Sequence, residues 1–378
     1  MKAELPKRVG LQQRVLPLYR AAFFDLLSRA LRGGLSVFAG SPAADEGIPQ
    51  AAELLRAKWT HAVNRRYGTG RLSLVWQSGW REWIEGADPE VLVLEANPRY
   101  LTNGRLAGWM KARGRPLIGW TLGPARAGSV FSGWMRSFYG QFSALIVYSG
   151  SGAEELRKLG IPAECIFVAP NAVESETAER LLARPQAKAK ARRALALGAR
   201  PVILFVGRLQ RRKQVDVLLR ACAKLDAQPQ LVIVGEGPER VRLEQIARKV
   251  YPSARFTGDL RGEALGRCFL AADFFVLPGT GGLALQEAMA YGKAVAAAEA
   301  DGSQRDLIRE GENGWLLPPG DEQALLRVLR EALEDPRRLV RMGAASRRTV
   351  RRTATMQKMV AGFLNAIRFT MRGAEGRS

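Results

Sequence analysis

Few side chains in this sequence combine a reactive group with a strand-to-turn context. Arg208 and Lys213 lie in GRLQRRK (207–213), directly after the apolar run VILFV (202–206). Gly207 lets the chain turn sharply there, which sets both cations on a loop at the carboxyl edge of a sheet. An arginine fork beside a lysine point charge suits a diphosphate. A solvated basic loop in an arginine-rich chain is the alternative. It is not a Walker loop, because no GKS or GKT is present.

The second candidate is a single carboxylate, Glu287, in PGTGGLALQEAMAYGK (278–293). Gly281 and Gly282 precede a short helix whose first N–H groups are unobstructed and can face an anion. Leu283, Ala284, Leu285, Ala288, Met289 and Ala290 make that helix apolar on almost every side, hence buried. A buried carboxylate is costly unless paired. A vicinal diol such as a ribose would satisfy it with two O–H donors, and an internal arginine or a backbone N–H would serve as well. VGEGPE (234–239), with Gly235, and DGSQRDLI (301–308) are two further turns between strand and helix. Four such loops carrying two cations and one buried acid favour a nucleotide-type ligand.

The elements that must position these loops follow from periodicity. VILFV, LVIV (231–234), FFVL (274–277), AVAAA (294–298) and WLLP read as buried strands, with helical recurrences between them and Asp321 as an N-cap. Before them, LSVFA (35–39), LSLVW (72–76), VLVL (91–94), PLIGW (116–120), ALIVY (144–148) and CIFV (165–168) are strand candidates. The expected class is α/β: two Rossmann-like parallel-sheet domains facing across a cleft at the carboxyl ends of both sheets. The expected boundaries are 1–182 for the first domain, 183–200 for a basic linker, 201–354 for the second domain and 355–378 for a terminal helix. Met359, Phe363 and Ile367 give that helix an apolar stripe.

FVGRLQRRKQVDVLLRACAKL, LVIVGEGPERVRLEQIA, FTGDLRGEALGRCFLAADFFVLPG, GLALQEAMAYGKAV and DLIREGENGWLLPPGD, in this order and spacing, resemble the C-terminal half of family-4 glycosyltransferases of the GT-B fold. The resemblance covers about Pro201 to Glu334. QQRVLPLYRAAFFDLL, LIVYSGSGAEELRKLGI and FVAPNAV are similar to the N-domain of the same family, particularly members acting on lipid-linked or polysaccharide acceptors.

The resemblance implies a retaining transferase that moves a sugar from a nucleoside diphosphate donor to a glycan or lipid-linked acceptor, with no metal and no cofactor. It implies that Arg208 and Lys213 bind the diphosphate and stabilise its departure, that Glu287 holds the nucleotide ribose, and that Gly207 and Gly235 line the donor site. The N-domain then binds the acceptor, with Tyr19, Arg20 and Thr121 as candidates, and the last helix returns to that domain. Two departures stand out. The family's E-x7-E pair lacks its first member, since Gly279 occupies that position in a shortened loop. The sugar then falls to the N–H groups of Gly281, Gly282 and Leu283. The N-domain histidine is also missing, with Leu122 near its place. The one histidine, His61, lies in KWTHAVNRRY, read as a surface helix.

Composition sets the outer bounds. The 378 residues fit about two domains, and 47% hydrophobic with 25% charged residues is ordinary for a globular chain. Cys165, Cys222 and Cys268 are scattered in apolar contexts, as reduced core residues of a cytosolic protein. No apolar run reaches the length of a membrane span and no export signal is evident. The unusual feature is charge: 58 basic against 36 acidic residues, with eleven basic and one acidic in 337–378. Such a surface attracts polyanions, so the expected location is cytoplasmic and peripheral on the inner face of the membrane, with an anionic bilayer as a further partner. No nucleic acid is expected, because no basic stretch is interleaved with stacking aromatics. The competing function is a degenerate family member that binds polyanion or membrane without catalysis. A nucleotide-sugar epimerase would need acid and base side chains that are not found.

Overall fold

The computed structural model describes residues 5, 7–43, 46–68, 73–124 and 131–375, and divides into two units, Met1–Pro170 with Met356–Ser378, and Asn171–Thr355. In the first unit the strands are β1 (Val9–Val15), β2 (Leu35–Gly40), β3 (Lys58–Tyr67), β4 (Leu74–Ser78), β5 (Val91–Glu95), β6 (Leu117–Thr121), β7 (Ala144–Val147) and β8 (Ile166–Val168). Their order is β4-β3-β2-β1-β5-β6-β7-β8, and every pair is parallel except β3 with β4. Order reverses between β1 and β5, so this is the sheet's topological switch point.

The second unit holds β9 (Val202–Val206), β10 (Gln230–Val234), β11 (Arg255–Gly258), β12 (Phe274–Leu277), β13 (Ala294–Ala298) and β14 (Gly314–Leu317). All pairs are parallel in the order β11-β10-β9-β12-β13-β14, the dinucleotide-fold order, with its switch between β9 and β12. These strands are continuous apolar runs because helices cover both faces, and Ile203, Leu204, Phe205, Phe274, Phe275, Val295 and Ala296 are fully buried. Asp321 caps the next helix, accepting from the Ala324 N–H at 2.8 Å.

Three expectations are corrected. KWTHAVNRRY is strand β3, not a helix, because it pairs with β2 on one side and β4 on the other, and its Trp59 indole donates to the Ala39 carbonyl at 2.9 Å. His61 therefore stands exposed on a strand, its Nε2 2.9 Å from the Ser41 hydroxyl. The segment 183–200 is not a free linker: Ala187–Ala194 is a helix within the second unit, packed on helix Gly262–Ala271. Its low side-chain bulk permits that approach, with Ala191 buried, and Arg192 donates to the Ala271 carbonyl at 3.1 Å and pairs with Asp273. The helix Glu176–Leu182 lies in the same unit, so the change of unit falls at Pro170 and not after residue 182.

The expected strand at 72–76 begins outside the described residues and runs as β4. Strands β1 and β11 carry no clear apolar run and were not anticipated. The final helix, Met356–Glu375, belongs to the first unit, where Phe363 meets Phe23 and Trp120, each at 4.9 Å between ring centroids. Cys222 and Cys268 are buried and Cys165 is partly exposed.

Asp273 holds the Ala187–Ala194 helix to the sheet, because its carboxylate also accepts from the Val202 N–H at 2.8 Å and pairs with Lys188. Asp273→Ala is expected to speed tryptic cleavage between Lys188 and Arg193 severalfold in the folded protein. An unchanged cleavage rate would show that the segment is not held this way.

Candidate active site

The second unit gathers its candidates at the β9/β12 switch point, the place where open α/β sheets bind ligands. The loops after β9, β10 and β11 are stitched together by backbone bonds. The Gly207 N–H donates to the Val234 carbonyl (3.0 Å), the Leu209 N–H to Glu236 (2.8 Å), and the Gly235 N–H to Gly258 (2.8 Å). Gly235 has φ +138°, and a Cβ on it would collide with the Gly207 carbonyl oxygen. Glycine is thus required for the β9 and β10 loops to touch.

Lys213 joins the loop after β9 to the loop after β12. Its ammonium donates to the carbonyls of Thr280 (2.8 Å) and Gly281 (2.6 Å), and the Thr280 N–H returns a bond to the Arg212 carbonyl (2.9 Å). The side chain is buried, which together with the nearby Arg212 lowers its pKa to about 8, while Asp301 acts in the opposite sense. An ammonium has three N–H donors, and two of them are used among the described residues. Arg208 is half-buried two residues beyond β9.

At Gly279 the geometry explains the missing glutamate. A Cβ there would collide with the Arg212 carbonyl oxygen and lie 2.6 Å from the Lys213 carbonyl carbon. The loop is drawn onto the Arg212–Lys213 turn so closely that no side chain fits. Among the described residues, the N–H groups of Gly281, Gly282 and Leu283 make no backbone hydrogen bond. Thr280, Arg212, Asp301 and Gln304 also belong to this neighbourhood, and sequence reasoning missed them. Gln304 is buried with its Nε2 unpartnered against Gly281, and it is placed there by a loop that only the fold brings near.

Glu287 sits on helix Ala284–Ala290, whose Leu285, Ala288, Met289 and Ala290 are buried. Among the described residues its carboxylate makes no hydrogen bond or ion pair. The internal arginine considered above is therefore absent. Burial raises its pKa to about 7.

The acceptor candidates of the first unit differ in exposure. Arg20 is buried under an aromatic cage, its guanidinium 4.5 Å from the Trp120 ring and 5.2 Å from Tyr148, donating to the Tyr148 hydroxyl at 3.3 Å. Thr121 is buried, and its hydroxyl already accepts from the Gly123 N–H (3.1 Å) and bonds Tyr139 (3.3 Å). Tyr19 alone of the three is open, at 49% exposure.

A polar cluster that sequence reasoning missed lies instead at the β1/β5 switch point. Gln12 donates to Gln77, whose amide also donates to the Gln13 carbonyl (3.1 Å) and to Asn64 (3.0 Å). Glu95 accepts from the Arg14 N–H (2.9 Å) and the Tyr100 hydroxyl (3.2 Å), and Arg14 pairs with Glu46 at 2.8 Å. Burial and Glu95 push the Tyr100 phenol up. The signal was a strand-like run, VGLQQRV, with glutamines where a buried strand is apolar.

Comparison with known proteins agrees with this geometry. Residues 187–349 match the family "Glycosyl transferases group 1". Sheet order and the superpositions given below show a GT-B-type fold of two α/β units, and the part of the second unit at 187–349 resembles the group 1 glycosyl transferase domain. Among curated relatives, a GDP-mannose-dependent alpha-mannosyltransferase of Mycolicibacterium smegmatis is 42% identical over 163 residues, covering 42% of this chain and 41% of that protein. One of the same name from Corynebacterium glutamicum is 34% identical over 223 residues, covering 56% and 49%. The chain thus spans half or less of these relatives. Among solved structures, Anabaena Alr3699/HepE in complex with UDP superposes with TM-score 0.73 at 19% identity, over 96% of this chain and 100% of that one. Sucrose-phosphate synthase from Thermosynechococcus elongatus gives 0.75 at 20%, over 98% and 100%.

The raised pKa of Glu287 has a sign that can be checked. As pH rises from the ordinary 4.5 toward about 7, the unfolded chain releases this proton before the folded one does. The carboxylate therefore subtracts stability over that range and by a constant amount above it. Glu287→Gln is expected to stabilise the ligand-free protein by about 1–3 kcal/mol near pH 8, and by less near pH 5. Melting curves at the two pH values test this, and an equal effect at both would contradict it.

Proposed function

We propose that the chain transfers a sugar from a nucleoside diphosphate sugar to a glycan or lipid-linked acceptor, with retention and without a metal, in cell-envelope or exopolysaccharide synthesis. The observation that carries this reading is the unpartnered, half-buried Glu287 on the same loop–helix segment that Lys213 pins at the switch point. A ribose diol offers Glu287 two O–H donors, and a diphosphate offers Lys213 an acceptor for its remaining N–H. Group 1 glycosyltransferase relatives support the same assignment, and the two described above are named for GDP-mannose, so GDP is the first nucleotide to try.

In this mechanism the bond between the anomeric carbon and the diphosphate oxygen breaks while Lys213 and Arg208 stabilise the departing charge. The acceptor hydroxyl attacks from the face that the diphosphate leaves, and its proton passes to a phosphate oxygen of the leaving group. The N–H groups of Gly281, Gly282 and Leu283 hold the sugar in place of the glutamate that Gly279 excludes. Gly207 and Gly235 let the loops close around the donor.

Acceptor binding is assigned to the first unit, to the Gln12–Gln77–Glu95 cluster with Tyr19 rather than to Arg20 and Thr121. Among the described residues no helix is long and apolar enough to cross a membrane. We place the protein in the cytoplasm, on the inner membrane face, on the strength of its basic surface.

A thermal-shift panel with UDP, GDP, ADP and their sugar conjugates tests the donor assignment. One nucleotide should raise the melting temperature of the wild type and not that of Glu287→Ala. No shift with any of them would contradict it and leave polyanion binding without catalysis as the better reading. Affinity for the sugar conjugate should also peak between about pH 7 and 8. Protonation of Glu287 weakens it on the acid side and deprotonation of Lys213 weakens it on the basic side. A flat profile from calorimetry would remove both groups from the site.

A further inference from the structure

The second unit carries a cavity that shares no residue with the donor loops. It encloses about 420 Å³ and is lined by Leu182, Tyr291, Gly292, Val340 and Ala344, with Arg347, Arg348 and Arg351. Five of these lie on helix Pro336–Thr353 at positions 340, 344, 347, 348 and 351, which is one face of an α-helix. The helix is seated against the rest of the wall by glycine: a Cβ on Gly343 would collide with the Gly292 carbonyl oxygen.

Three guanidinium groups line this cavity. Arg351 pairs with Glu179 at 2.8 Å, whereas among the described residues Arg347 and Arg348 make no ion pair. The Nε of Arg347 is buried and has no hydrogen-bond partner. Burial, and then the neighbouring Arg351, lower the pKa of Arg347, so its charge is held against an unfavourable field that an anion would relieve. The other end of the cavity is apolar, and Val340 is 69% exposed at its edge.

We propose that this cavity is a second ligand site, one that binds a phosphate group attached to an apolar or neutral body, with Arg347 and Arg348 as its principal contacts. Guanidinium forks match phosphate oxygens, and Val340, Ala344 and Leu182 supply a surface for what the phosphate carries. Two sources share this chemistry, the headgroup of an anionic phospholipid and a small soluble phosphate ester. The site stands independently of the donor assignment.

The test uses the full chain with inorganic phosphate by calorimetry, and with sedimentation of vesicles of phosphatidylcholine alone or mixed with phosphatidic acid. Arg347→Gln with Arg348→Gln should weaken phosphate binding at this site by about tenfold or more, the loss expected for a charged hydrogen bond. Ala344→Asp, which leaves the arginines in place and puts a carboxylate in the wall, should weaken it likewise. Arg248→Gln with Lys249→Gln removes the same charge from an exposed helix elsewhere and should change nothing. Selective binding to the phosphatidic acid vesicles, lost in the cavity variants, assigns the headgroup. Phosphate binding lost in those variants without vesicle selectivity assigns a soluble ester. Phosphate binding that is absent from the wild type, or is reduced equally by the Arg248 and Lys249 changes, would overturn the site.

Discussion

The ammonium of Lys213 is the tie on which the candidate site depends. It closes the switch point of the second sheet by donating to the carbonyls of Thr280 and Gly281, and so fixes the loop after β12 against the turn after β9. Bringing those backbones together leaves no room for a side chain at Gly279 and sets the start of the Glu287 helix. A buried ammonium and a half-buried carboxylate each need a partner. Here Lys213 bonds carbonyls, and Glu287 makes no hydrogen bond or ion pair among the described residues. In the proposed function, a nucleotide with a diphosphate and a diol supplies the partners that both groups can still take.

Much of this was legible in the sequence, for stateable reasons. The strands of the second unit are continuous apolar runs because helices cover both faces, so periodicity alone found all but β11. Arg208, Lys213 and Glu287 stood out as ionisable groups next to glycine turns or on an apolar helix. What stayed hidden depended on pairing across the fold. β1 was obscured by Gln12 and Gln13, which are both buried; Gln77 and the Glu95 N–H satisfy the Gln12 amide, whereas Gln77 reaches only the Gln13 main-chain carbonyl. KWTHAVNRRY has no strict alternation, and its pairing with two neighbouring strands settles it. The segment 183–200 looked like a linker because it is basic and low in bulky residues, yet its small alanines are what close helix packing needs. Arg20 looked like a site residue, and its cation is spent on Trp120 and Tyr148.

Both units place their polar residues at the reversal of strand order, the second with cations and a carboxylate, the first with amides, an arginine and two carboxylates. The basic excess falls elsewhere as well, along the Pro336–Thr353 helix, where charge and an apolar edge share one cavity. Electrostatics in this chain is thus divided between groups that shape the switch-point site and groups held apart from it.

The central claim, that Glu287 is kept unpaired for a ribose diol, is tested most directly by a double-mutant cycle between protein and ligand. The affinity of a nucleoside diphosphate and of its 2′,3′-dideoxy analogue would be measured on the wild type and on Glu287→Gln. Removing the two hydroxyls should weaken binding to the wild type by about tenfold or more and weaken binding to the variant far less. An equal loss in both proteins would place the diol away from Glu287 and contradict the account.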